Sequence, residues 1–204
     1  YRHATDLTNP KNDAADVAAT LEPLGFDVML LQDTTNAELA RAVREFTDDV
    51  ERSGADTALF YYAGHGVQFD GVNYLIPVNA EVRDDYELRD EAVSMDRIMA
   101  GLEEAGSRFN LIMLDACRDN PFASSRAIGS RGLTVMGGGG RGSMVVFATA
   151  PGEVAADGDG RNSPFTKAFL EHVTTPGMEV RNLITEVQRS VQEYTGEQQI
   201  PWVN

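Results

Sequence analysis

Residues 109–117 read FNLIMLDAC, six residues without a charge that run straight into Asp115, Ala116 and Cys117. A run this short and this apolar suits a strand covered on both faces, as in a parallel sheet. Working outward, TALFYYAG (57–64), SMVVFAT (143–149) and FDVMLL (26–31) read as further strands. Amphipathic helices alternate with them. Asn12 or Asp13 caps one through about Leu24, with Gly25 as its stop, and Thr35 and Glu38 form a capping box for the next. Ser94 caps a third, Ser163-Pro164 opens a fourth, and Glu179 to Tyr194 forms the last. Asp70-Gly71 marks a tight hairpin inside VQFDGVNYLIP. Between Ser124 and Gly142, Gly, Ser and Arg alternate without periodicity, which predicts a flexible loop. Strands alternating with helices predict an α/β domain with a mostly parallel central sheet covered on both faces.

At 204 residues the chain suits one domain. Acidic residues outnumber basic ones 32 to 17, and a net charge of −15 argues against nucleic acid or an anionic membrane as the main partner. It suits a cationic ligand, although many acidic proteins are merely soluble. The single cysteine excludes an internal disulfide and a multi-cysteine metal site. No apolar run approaches the ~20 residues of a membrane helix. The opening YRHATDLTNPKNDA reads as a loop, so a native N-terminus ahead of it is expected and the compartment is left unassigned.

In parallel sheets, ligands sit beyond the carboxyl ends of the strands. Two predicted strands end there on reactive groups, LFYYAGHG on His65 and LIMLDAC on Cys117. Imidazole is the natural base for a thiol at neutral pH. The flanking glycines, Gly64 and Gly66, leave the backbone bare for close approach of a substrate. The amides of Gly66 and Cys117 are candidate donors to a developing oxyanion. His3 and His172 have no such partner and read as ordinary surface and helix residues.

These residues resemble the caspase-like cysteine peptidases, and more closely their metacaspase and bacterial orthocaspase branch. The likeness rests on YYAGHG followed 52 residues later by DAC. PKNDAADV, NYLIPVNA, LDACRDNPF, ATAPGEVAADGDG with SPFT, and QIPW support it. The resemblance implies a three-layer α/β/α sandwich and a Cys117–His65 dyad. It also implies a large part at 1–122, a loop at 123–142 and a small part at 143–204. True caspases carry Gln and Gly two residues before and after the cysteine; here those positions are Asp115 and Asp119. The metacaspase-like branch selects Arg or Lys with acidic residues, and Asp13 and Asp115 match its pocket. A guanidinium between two carboxylates forms charge-assisted bonds, which agrees. Helix capping is the competing role for Asp13. By the same resemblance the ATAP segment (148–151) lines the groove, and Arg126 and Arg131 become candidate self-cleavage sites.

Family members carry a central apolar strand ahead of the segment matching Tyr1. Nothing here supplies it, so either a piece is absent or another strand substitutes. Many metacaspases need calcium; Asp84-Asp85 and Asp157-Gly-Asp159 lack EF-hand spacing, and no obligatory cofactor or metal is expected. The leading expectation is a cysteine endopeptidase acting on peptides or proteins after Arg or Lys. The alternative is a catalytically silent caspase-like scaffold. A flavodoxin-like nucleotide binder is disfavoured, because the Gly137–Gly140 run precedes a strand and no phosphate-binding glycine loop opens a helix.

Overall fold

A computed structural model describes residues 1–117, 122, 133, 142–151, 153 and 155–204, with Cys117 described by its backbone. Most of the loop expected at 123–142, including Arg126, Arg131 and Arg141, lies outside the described residues, as does Asp119.

The strands are β1 (Thr57–Phe69), β2 (Val72–Leu75), β3 (Val93–Ser94), β4 (Phe109–Cys117), β5 (Ser143–Phe147) and β6 (Trp202–Val203). They form one sheet in the order β3-β2-β1-β4-β5-β6. The central trio β1, β4 and β5 is parallel, and the outer strands pair antiparallel. The sheet is therefore mixed, with a parallel centre that fits the near-continuous apolar character of 109–114.

The helices are α1 (Pro10–Leu21), α2 (Asn36–Ser53), the single turn α3 (Leu88–Glu91), α4 (Met95–Ala105), α5 (Pro164–Val173) and α6 (Val180–Thr195). Strand alternation assigns them to two faces. Ile112, Leu114, Val145 and Phe147 pack with Leu39 and Val43 of α2 and with Ile98 and Leu102 of α4. Leu111, Met113 and Val146 pack with Val17 of α1, Phe165 and Phe169 of α5, and Ile184 and Val187 of α6. The result is an α/β/α sandwich. A smaller core of Val67, Tyr74, Ile76 and Leu88 sits under the β1–β2 hairpin, whose turn holds Asp70 and Gly71 at φ of 52° and 78°.

Two local expectations need correction. The first helix starts at Pro10, not beside Asp13, because proline at the first helical position has its φ preset and loses no bond there. Asn9 occupies the cap, and Asp13 lies inside the first turns, 1% exposed. It is not the cap. Residues 26–31 are also not a strand. Phe26 and Val28 turn toward the α1 side of the core, but Met29, Leu30 and Leu31 are exposed. A strand needs a ladder partner, and none pairs with these residues among the described ones. Across from these residues, the 57–63 half of β1 pairs with β4 on one flank only. Between the two lies a cleft of about 660 Å3, walled by Val17 and Leu21 on one side and Leu39 and Val43 on the other. Among the described residues no substitute strand enters it. No helix of the described residues is long and apolar enough to cross a membrane.

Candidate active site

Register brings the two reactive positions together. The parallel β1–β4 ladder runs without slippage from Thr57 opposite Phe109 to His65 opposite Cys117. Both residues stand at the carboxyl edge of the parallel centre, where strands present their last side chains to ligands.

The imidazole of His65 is 4% exposed and tightly held. Its Nε2 lies 2.6 Å from the Thr5 carbonyl oxygen. A carbonyl only accepts, so Nε2 carries the proton and the neutral ring keeps its basic lone pair on Nδ1. The Tyr1 ring packs against the imidazole with centroids 4.5 Å apart, and the Tyr1 hydroxyl accepts the His65 N–H at 2.9 Å. Tyr62 Oη donates to the carbonyls of His65 at 2.8 Å and Ile76 at 3.1 Å.

This packing also crowds the two flanking glycines. A Cβ on Gly64, at φ of +155°, would stand 2.5 Å from the Tyr1 hydroxyl and 2.7 Å from that of Tyr62. On Gly66 it would meet Leu133 at 3.0 Å and Ala116 at 3.3 Å. The His65 carbonyl accepts the Ile76 N–H at 3.0 Å. By the alternation of an antiparallel ladder, the next residue, Gly66, turns its N–H away from β2 and toward the β4 side.

Asp13 and Asp115 converge although they lie on different elements. Asp115 shares the sheet face of Leu111 and Met113, beneath α5. Its Oδ2 accepts a short hydrogen bond from Ser163 Oγ and one of 2.7 Å from Thr166 Oγ1. Tyr61 Oη is 2.5 Å from Thr166 Oγ1 and at a longer 3.5 Å from the carboxylate. Asp13 reaches the same place from α1, its Oδ1 accepting the Ser163 backbone N–H at 3.1 Å. Among the described residues no Lys or Arg pairs with either acid. Burial and the Asp115 charge push the Asp13 carboxyl up to about 7. Burial likewise raises Asp115 to about 6, against the bonds from Ser163 and Thr166 that lower it. Tyr61 stays protonated, its pKa raised by burial and by the Asp115 charge.

Straps fix α1 against the loop before α5. Asp157 accepts the amides of Thr8 at 2.8 Å and Asn9 at 3.3 Å, while Arg161 grips Asp16 through two bonds of 2.8 Å. Asp157 therefore closes a loop, and Asp84 caps the turn at Asp85–Glu87. Among the described residues no His, Cys, Asp and Glu cluster has the makings of a metal site. Ala148 and Thr149 follow β5 beside β4 and are buried, the Ala148 carbonyl tied to Gln199 Nε2 at 2.8 Å. His172 bonds Ser190 on α6, and His3 is exposed, so neither joins the site. The cleft beside β1 is lined by Tyr61 to Ala63 but not by His65, Asp13 or Asp115.

Sequence reasoning did not find Thr5, Tyr1, Ser163, Thr166 or Tyr61. Ser163 and Thr166 signal only a helix start, since the carboxylate they serve is about fifty residues away. A backbone carbonyl such as that of Thr5 leaves no trace in residue type.

An α/β sandwich with a histidine and a cysteine at the end of neighbouring parallel strands defines the class. A family model for the caspase domain of peptidase family C14 matches residues 1–204, and the chain belongs to that family. It is similar to the human mucosa-associated lymphoid tissue lymphoma translocation protein 1, 30% identical over 118 residues. The mouse homolog of that protein matches equally, at 30% over 118 residues. These matches cover 58% of this chain and 14% of each relative, so the chain spans a small part of their length.

Proposed function

We propose that the chain is a cysteine endopeptidase that cleaves after arginine or lysine, within the metacaspase-like branch of its family. The observation that carries this reading is the pairing of His65 with Cys117 in the β1–β4 register, beside two buried carboxylates that have no Lys or Arg partner among the described residues. His65, protonated on Nε2, takes the thiol proton on Nδ1 and later returns it to the leaving amine. Cys117 attacks the scissile carbonyl. The Gly66 and Cys117 amides steady the oxyanion, a role worth about 3–4 kcal/mol per donor in other enzymes. Asp13 and Asp115 hold the basic side chain, and the protein's negative field draws cationic peptides inward.

The same reading divides the chain into a large part at 1–122 and a small part at 143–204, joined by a loop cut at Arg126 or Arg131. It needs no metal. Peptides with Arg, Lys or Asp at the cleaved position, with and without calcium, test it on the natural chain and on Cys117→Ala and Asp115→Ala. Cleavage after Arg is expected, falling about a thousandfold or more in Cys117→Ala. The natural chain should also yield fragments ending near Arg126 or Arg131 that Cys117→Ala does not. Cleavage after Asp overturns the pocket assignment. No cleavage under any condition favours a silent scaffold.

A further inference from the structure

Among the described residues, Ser163 donates hydrogen bonds to both acids. Its backbone N–H donates to Asp13 Oδ1 and its hydroxyl to Asp115 Oδ2, while the same hydroxyl accepts the Thr166 N–H at 2.9 Å as the cap of α5. Thr166 Oγ1 adds a second bond to the same oxygen of Asp115. The remaining oxygens, Asp13 Oδ2 and Asp115 Oδ1, have no hydrogen bond of ordinary length among the described residues; Asn162 stands near Asp13 but donates to Asp16 at 2.9 Å. Ser163 is 2% and Thr166 0% exposed, so these bonds are made away from water and hold both carboxylates at one setting.

We propose that Ser163 is a specificity-positioning residue: by fixing one oxygen of Asp13 and one of Asp115, it sets the two remaining oxygens as paired acceptors, one per acid, that favour a planar guanidinium over a compact ammonium. The proposal rests on the reading of these acids as the pocket for the substrate's basic side chain. A guanidinium carries several donors in a rigid fork and engages both acids at once, whereas an ammonium acts as a point charge with freely rotating donors. With the Ser163 hydroxyl removed, Asp115 Oδ2 keeps only the Thr166 bond of ordinary length, the carboxylate gains room to turn, and the geometric advantage of the fork disappears while the charge attraction stays.

Butylguanidinium and butylammonium, titrated into the unmodified chain and into Ser163→Ala, Ser163→Thr and Thr166→Val at pH 8, test this by calorimetry. Guanidinium should bind about tenfold tighter in the unmodified chain, with the preference lost in Ser163→Ala, kept in Ser163→Thr and reduced in Thr166→Val. The ratio of KM for Lys and Arg peptides should follow the same order, with kcat nearly constant. A ratio unchanged in Ser163→Ala, or no preference in the unmodified chain, overturns the proposal. Where Ser163→Ala does not fold, Thr166→Val decides, since it leaves the helix cap in place. Failure of both cations to bind overturns the acid pocket itself. A clear guanidinium preference without any peptide cleavage leaves this inference standing and removes the endopeptidase reading.

Discussion

Asp13 and Asp115 are expensive residues for a folded chain to keep. Each is a carboxyl in the interior, and each is displaced upward from the ordinary value near 3.9, to about 7 and about 6, chiefly by burial. When the folded pKa lies above the unfolded one, the unfolded chain sheds its proton first as pH rises. The folded state then loses stability from about pH 4 until the folded carboxyls have ionised near pH 7. The empty protein should therefore melt at a lower temperature at pH 7.5 than at pH 5. Asp13→Asn should raise the neutral melting temperature by a few degrees and flatten this slope, while weakening the binding of cations. Calorimetric scans across that range check it; a melting temperature that climbs steadily toward pH 7.5 would contradict the assignment. Buried charges kept against stability are common where a ligand supplies the missing partner.

At the scale of elements, legibility in the sequence followed locality. The apolar run at 109–114, the alternation around Asp70-Gly71 and the capping box at Thr35 each carry their cause within a few residues, and β4, the hairpin and α2 formed as expected. The position of Cys117 was legible for the same reason, since it closes its own strand, whereas His65 ends only the parallel half of β1, which runs on to Phe69 instead of stopping at residue 64. Residues 26–31 were not, because their strand character depends on a partner that no local pattern reports. The bonds from Thr5, Tyr1 and Ser163 likewise depend on contacts spanning 48 to 150 residues. Gly64 illustrates the limit: its identity is visible, while its reason, two tyrosine hydroxyls converging where a Cβ would stand, is tertiary. Gly64→Ala should destabilise the chain by about 1–3 kcal/mol and lower peptide cleavage by displacing Tyr1 or Tyr62 from the His65 backbone. Unchanged denaturant unfolding and kinetics would show that the hydroxyl contacts are dispensable.

At the scale of the whole fold, helices pack on both faces of the sheet, and the first half of β1 has one flank without a strand among the described residues. There the cleft of about 660 Å3 meets the exposed Met29, Leu30 and Leu31. Contiguous apolar surface of this kind attracts other apolar groups. The folded chain should bind an environment-sensitive hydrophobic dye, and replacing Leu30 and Leu31 with serine should lower the emission without altering cleavage of a small peptide. Emission insensitive to that double change would place the dye elsewhere.

β1 serves two ladders in succession. Up to His65 it is bonded in parallel to β4, and from Gly66 onward it is bonded antiparallel to β2. The four-residue β2 ladder is the weaker tether, and it can fray while the thirteen-residue strand stays anchored at its other end. The imidazole sits where one anchorage hands over to the other. On gentle heating, the His65 ring should thus lose its alignment before the rest of the sandwich melts, and amide exchange at Val67 to Phe69 should quicken while Leu59 to Tyr61 remain protected.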